Sequence, residues 1–482
     1  MKVKNEVMLI TYPDSLGNNL KDLRYVMDEF LDDYISGIHI LPFYPSSADR
    51  GFAPKTYEKV DSKFGDWKDL EKLSDNYYLI YDFMLNHISR SSKYFQDYLN
   101  KKENSEYSDF FIKYSEFWEN GEPTEKQVDK IYKRKPRAPY ILAEFEDGTS
   151  EKIWCTFSKE QIDLDITKQK TLKFIKKTVK DLCKKGASVL RIDAFAYVTK
   201  KVDTSCFFIE PDTWEILNYI KDIANKHDTI LLPEIHEHYS IQKKISNKGF
   251  WVYDFALPML VLYTLYGKNN KPLINWLKKA PKKQFTTLDT HDGIGVVDVK
   301  DLMTDKQIKF TKDSLYENGA NVKRVYNSKE YDNLDVYQLN CTYYSALGDN
   351  DKAYLLARAI QFFSPGIPQI YYVGLLAGKN DIDLLEKTKV GRNINRHLYS
   401  IDEIEYNLKE RKVVKDLLKL IKFRNDSKAF DGQMKINDTA KNILKITWQK
   451  DNVFARLIAN LNTFNFKVEY KEGDNLKNIK FD

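Results

Sequence analysis

At 482 residues the chain is too long for one ordinary core, so two or three domains, or one barrel with insertions, are expected. A composition that is 42% hydrophobic and 30% charged excludes a disordered chain. The net charge is only +6, and no basic block is interleaved with aromatics, which argues against a nucleic-acid partner.

Cys155, Cys183, Cys206 and Cys341 lie far apart, without metal-ligand or redox spacing. Reduced, isolated thiols and a cytoplasmic location are therefore expected. The segment ending at Tyr12 has no apolar run long enough for a secretory signal. The most hydrophobic window, 255–266, contains Pro258 and is shorter than the ~20 residues that span a bilayer, so it is expected as buried core, with no membrane partner.

Along the chain, short apolar runs alternate with amphipathic helical stretches, the pattern of βα units around a parallel sheet. Strands are expected at 7–12, 37–41, 78–83, 188–193, 229–232, 251–255, 284–288 and 369–373. Between the first two, Leu20, Leu23, Val26, Met27 and Phe30 recur at helical spacing. Before the fourth, Leu172, Ile175, Val179 and Leu182 share a helix face that Gly186 closes. Eight such runs predict an α/β fold, a (β/α)8 TIM barrel with two inserted subdomains and a small C-terminal β domain. The barrel would take 1–86, 168–292 and 348–430, and the insertions, where the alternation breaks into polar sequence, 87–167 and 293–347. Period-two alternation after 431 gives the C-terminal β domain, 431–482.

Strand ends finish in polar clusters: Asp82-Phe-Met-Leu-Asn86-His87, Arg191-Ile-Asp193, Glu234-Ile-His236-Glu-His238 and His291-Asp292. In a barrel these ends share the catalytic rim. Five of the seven histidines fall in these clusters or in the later Gly391-Arg-Asn-Ile-Asn-Arg-His397. Two carboxylates flanking a pocket suit glycosyl transfer, one attacking the anomeric carbon and the other protonating the leaving oxygen. The alternative is a metal site, but His236 and His238 lie two apart and would face opposite ways on an extended segment, and there is no His-Glu-x-x-His helix.

In this order, the clusters resemble the strand-end motifs of the α-amylase superfamily, glycoside hydrolase family 13. Within it the chain resembles the sucrose phosphorylase branch through Leu9-Ile-Thr-Tyr-Pro-Asp-Ser-Leu-Gly17, Asp49-Arg-Gly-Phe-Ala-Pro54, Gln161-Ile-Asp-Leu-Asp165, Thr287-Leu-Asp-Thr-His-Asp-Gly-Ile-Gly295, Thr342-Tyr-Tyr-Ser-Ala-Leu347, Pro365-Gly-Ile-Pro-Gln-Ile-Tyr-Tyr-Val-Gly374 and Gly391-Arg-Asn-Ile-Asn-Arg-His397. The resemblance implies Asp193 as nucleophile, oriented and kept ionised by Arg191. It implies Glu234 as general acid and base with a raised pKa, and Asp292 as a brace on the sugar ring beside His87 and His291. Asp49 and Arg396 would clamp the far end of one glucose; Phe52, Phe157 and Tyr197 would wall the pocket, with Gln161 and His236 as further contacts. Arg134, or Arg137 as the fallback, would hold phosphate. A loop with Leu334, Asp335, Tyr337 and Gln338 would face fructose or phosphate.

The implied reaction moves glucose from sucrose to inorganic phosphate, giving α-D-glucose 1-phosphate and D-fructose without cofactor or metal, in a possible homodimer. Other expectations from the same catalytic set are a phosphorylase with a different acceptor (sucrose 6′-phosphate, glucosylglycerate or glucosylglycerol) or a hydrolase of sucrose or α-glucosides. A non-catalytic scaffold barrel would be expected to lack one of the three carboxylates, and all three are present.

Overall fold

The fourth strand shows how burial writes the sequence. Ala187–Asp193 is buried at every position but the last, so it reads as an apolar run that ends on a carboxylate. The helix before it, Gln169–Lys184, buries Ile175, Val179 and Leu182. Gly186 follows at φ +99°, a left-handed conformation that lets the chain reverse into the strand.

The computed structural model describes every residue except 1, 136, 321–337, 473–474 and 482. Eight parallel strands make a nearly closed α-amylase-type barrel: β1 (Met8–Thr11), β2 (Gly37–Ile40), β3 (Tyr78–Met84), β4 (Ala187–Asp193), β5 (Ile230–Pro233), β6 (Val252–Asp254), β7 (Gln284–Thr286) and β8 (Ile367–Tyr371). The sheet order is β6-β7-β8-β1-β2-β3-β4-β5: β8 lies beside β1, and β5 and β6 are the two ends of the order. All eight expected strands are present. The eighth lies two residues earlier than expected, because Tyr372–Leu375 turns helical and the apolar run continues through it.

By packing, the chain divides into two compact units, one of Ile40–Ile235 and one of Lys2–His39 with the described residues after 235. In the first unit, β3 is buried at all seven positions and pairs with β4, which pairs with β5. Its stretch after β3 has a core of its own, in which Phe95, Tyr98, Phe110 and Phe111 pack on Ile153 and Ile162. There, His87–Ser89 pairs antiparallel with Gln161–Asp163.

In the second unit, β1 pairs with β8, β8 with β7 and β7 with β6. The hydrophobic window forms the helix Leu257–Tyr266, buried from Leu257 to Leu265 as expected. The tail forms β9 (Gln433–Ile436), β10 (Ile443–Lys450), β11 (Val453–Asn460), β12 (Phe466–Glu472) and β13 (Asn475–Asn478), antiparallel in that order. Leu444, Ile446 and Trp448 face inward, and Trp448 donates its indole N–H to the carbonyl of Phe363 at 2.8 Å. All four cysteines are buried free thiols. Among the described residues no helix is long and apolar enough to cross a membrane.

Candidate active site

In the first unit the end of β4 is organised by one guanidinium. Arg191 Nη1 lies 2.5 Å from Asp82 Oδ1 at the end of β3 and 2.9 Å from Asp193 Oδ1. Arg191 Nη2 lies 3.9 Å from Glu234 Oε1, just past β5. Glu234 is fixed by its own N–H, which donates to the carbonyl of Ile192 at 3.0 Å. Its Oε2 also accepts from the N–H of Ala194 at 3.3 Å, and Ala194 holds φ +52°, an uncommon left-handed conformation for a residue with a side chain.

The Asp193 carboxyl is pushed up to about 8. Burial is the largest cause; Arg191 pulls the other way, while the charges of Glu234 and Asp82 raise it further. Burial thus outweighs the ionising effect expected of Arg191. A guanidinium-held carboxyl with a second carboxyl beside it suits nucleophilic displacement with acid–base assistance.

Beside this pair, His87 and Gln161 converge on the Phe52 backbone. His87 Nε2 lies 2.9 Å from the Phe52 carbonyl, Gln161 Nε2 donates to the same carbonyl at 3.0 Å, and the two side chains are 3.1 Å apart. Burial lowers the His87 pKa and keeps the ring neutral. The Phe52 ring lies 5.8 Å from the Arg191 guanidinium carbon. Its loop is tightly wound, with Asp49 and Arg50 at φ +51° and +47°. At Gly51 (φ +109°) a Cβ would come 2.4 Å from the carbonyl oxygen of Pro42. Asp49 is exposed.

An aromatic wall runs from His87 to Phe157 (5.5 Å between centroids) to Tyr197 (5.1 Å). Sequence reasoning missed its continuation into Phe207, 4.8 Å from Tyr197, and Tyr132, 4.6 Å from Phe207. No motif marks either residue. The Arg134 guanidinium carbon lies 5.9 Å from the Tyr197 ring. Arg137 is committed elsewhere, donating to the carbonyls of Ala138 (2.9 Å), Tyr140 (2.7 Å) and Phe157 (3.1 Å).

In the second unit, Asp292 follows β7. Its Oδ1 is 3.1 Å from Arg392 Nη1 and its Oδ2 is 3.6 Å from His291 Nε2. Arg392 is a contact that sequence reasoning missed, although its cluster was noticed. Arg396 is 2% exposed and donates through Nε and Nη2 to the His291 carbonyl at 3.2 and 2.9 Å. His236 faces Asp298, whereas His238 faces Asp301 and Ser240. The two histidines diverge, as their spacing suggested. Gln338 pairs with Gly295 in a short antiparallel ladder. Leu334, Asp335 and Tyr337 lie outside the described residues.

The model of the α-amylase catalytic domain matches residues 12–400. The chain is 53% identical over 482 residues to a sucrose phosphorylase of Streptococcus mutans, covering 100% of both chains. It is 46% identical over 487 residues to a sucrose 6(F)-phosphate phosphorylase of Thermoanaerobacterium thermosaccharolyticum, covering 99% of each. The crystal structure of a sucrose 6F-phosphate phosphorylase from Thermoanaerobacter thermosaccharolyticum superposes with a TM-score of 0.94 at 46% identity, again over 99% of both chains. The chain therefore belongs to the α-amylase family and, within it, to the group that contains the sucrose and sucrose 6(F)-phosphate phosphorylases.

Proposed function

We propose that this enzyme is a glycosyltransferase that moves glucose reversibly from sucrose to inorganic phosphate, with retention, giving α-D-glucose 1-phosphate and D-fructose. What carries the reading is the carboxylate cluster around Arg191, set at the strand ends of a barrel chain that is alike end to end to a sucrose phosphorylase.

In the first half, Asp193 attacks C1 of the glucosyl unit as the C1–O bond to fructose breaks. Glu234 gives its proton to the departing fructose oxygen, leaving a covalent β-glucosyl ester on Asp193. In the second half, a phosphate oxygen attacks C1 from the side fructose left, the bond to Asp193 breaks, and Glu234 takes up the proton of the incoming hydrogen phosphate. Every proton and bond is accounted for by the two carboxyls and the substrates.

Asp292 answers the positive charge that develops on the sugar ring, and His87 and His291 bind ring hydroxyls. Asp49 and Arg396 bound the pocket at one glucose, with Phe52, Phe157, Tyr197 and Gln161 as its walls. His236 is a further substrate contact, and Arg134 and the loop bearing Leu334, Asp335, Tyr337 and Gln338 serve fructose and phosphate. In this reading residues 87–167 and 293–347 are insertions into the barrel, and the enzyme is cytoplasmic.

The test is purified protein with sucrose, with and without phosphate, assayed for glucose 1-phosphate, fructose and free glucose. Phosphate-dependent glucose 1-phosphate in step with fructose, lost in Asp193→Asn, supports the proposal. Free glucose that ignores phosphate would make the enzyme a hydrolase. Turnover of sucrose 6′-phosphate alone would assign the other specificity found among its relatives.

A further inference from the structure

The second unit holds a buried pair that the mechanism above leaves unused. Asp298, 1% exposed, sets its Oδ2 3.3 Å from Nδ1 of His236, itself 7% exposed. Among the described residues Asp298 Oδ1 has no hydrogen-bond partner, so the imidazole is the group that answers its charge. The His236 ring stacks on Phe255, with centroids 3.8 Å apart and planes at 18°. Gly295 closes the third side: a Cβ there would fall 2.2 Å from Asp298 Oδ2 and 3.1 Å from His236 Nδ1. Gly295 is also the residue that pairs with Gln338, as Ile294 pairs with Leu339. At Gly293 a Cβ would meet the Leu339 carbonyl at 2.8 Å and the Gln338 Cβ at 3.0 Å. The two glycines thus let one short strand touch both His236 and Gln338.

A carboxylate at Nδ1 makes that nitrogen the N–H donor and leaves Nε2 as the acceptor. The Phe255 stack fixes the ring plane. Tautomer and orientation are both determined by groups outside the reacting shell.

We propose that Asp298 is a positioning residue for acceptor exchange. It holds His236 in one tautomer and one orientation, and Gly295 ties that arrangement to the strand carrying Gln338. The inference rests on the reading of His236 as a substrate contact and of Gln338 as a group facing fructose.

The experiment compares Asp298→Asn, Gly295→Ala and His236→Asn, with the double variant Asp298→Asn/His236→Asn, in the complete enzyme. Glucose 1-phosphate formation by the unsubstituted enzyme is measured first; its absence would overturn the proposed function itself. Given that activity, Asp298→Asn and Gly295→Ala are expected to raise the KM for phosphate about three- to tenfold and to enlarge the share of free glucose, with fructose release in the first half-reaction changed less than about twofold. In the His236→Asn background, Asp298→Asn is expected to add nothing further. An unchanged phosphate KM and product ratio in both Asp298→Asn and Gly295→Ala would overturn the inference. An undiminished effect of Asp298→Asn without His236 would also overturn it, because the effect would then be structural.

Discussion

Lys200 places its ammonium 2.7 Å from Asp163 Oδ2, with 3% of one side chain and none of the other exposed. The same ammonium donates to Asn86 Oδ1 at 2.6 Å, and Asp163 accepts from the N–H and hydroxyl of Thr156 at 2.9 and 2.6 Å. One buried cation thus ties the residue before His87, at the end of β3, to the strand that carries Gln161. Lys200→Met leaves a buried carboxylate without its cation and is expected to cost about 3 kcal/mol in chemical unfolding. Adding Asp163→Asn should return part of the loss, since the uncompensated charge is then gone. Equal stability of Lys200→Met and the parent would mean that the pair is not holding this region.

Arg134 and Arg137 separate by their contacts. Arg137 answers three carbonyl oxygens, so Arg137→Ala strands half-buried acceptors and is expected to lower the melting temperature by a few degrees, for a loss of roughly 1–2 kcal/mol. Arg134 lies against the Tyr197 ring. Arg134→Ala is expected to leave the melting temperature within about 2 °C while raising the KM for phosphate by about tenfold or more, since a charge-assisted contact to an anion is lost. Phosphate kinetics and thermal unfolding of both variants check the division. A phosphate defect in Arg137→Ala alone would reverse it.

Much of this architecture was legible because parallel strands buried on both faces read as plain apolar runs, and because β4 ends on a lone carboxylate. The eighth strand was placed late because periodicity cannot separate a buried strand from a buried helical turn, and Tyr372–Leu375 is as apolar as β8. The pairing of Arg191 with Asp193 was legible, but which arginine meets Asp292 was not. Arg392 and Arg396 sit four apart in one cluster, yet Arg396 turns to the His291 carbonyl and Arg392 to Asp292. Asp82 was visible as a polar strand end, but its contact with Arg191 depends on the register of β3 beside β4, where the two residues are directly paired. Tyr132 and Phe207 join the aromatic wall from separate loops, a juxtaposition that only folding creates.

The Arg392 contact has its own consequence. Its guanidinium is one-third exposed, whereas Asp292 is 14% exposed, so the cation reaches solvent while the carboxylate faces inward. Under the proposed mechanism, Arg392→Gln is expected to lower kcat about tenfold, because the carboxylate proposed to answer developing positive charge loses the group that orients it. Arg392→Lys should recover only part of this, since a point charge cannot reproduce the fork. Steady-state kinetics on sucrose settle it, and a kcat unchanged in Arg392→Gln would relegate the pair to the surface.

The raised Asp193 carboxyl makes the final prediction one of stability against pH. Its folded pKa, about 8, lies above the ordinary 3.8, so between these values the folded enzyme holds a proton that the unfolded chain has released. The stability this contributes is complete below about pH 4 and is lost as pH rises through about 8, at up to about 1.4 kcal/mol per pH unit. Asp193→Asn removes the titrating group and its desolvated charge while keeping the side-chain shape. The variant is therefore expected to be inactive yet more stable than the parent at pH 8, by roughly 1–3 kcal/mol, and to show a flatter stability profile between pH 5 and 8. Urea unfolding of both proteins at pH 5, 6.5 and 8 measures it. Parallel profiles would show that Asp193 is ionised throughout this range, with Arg191 outweighing burial.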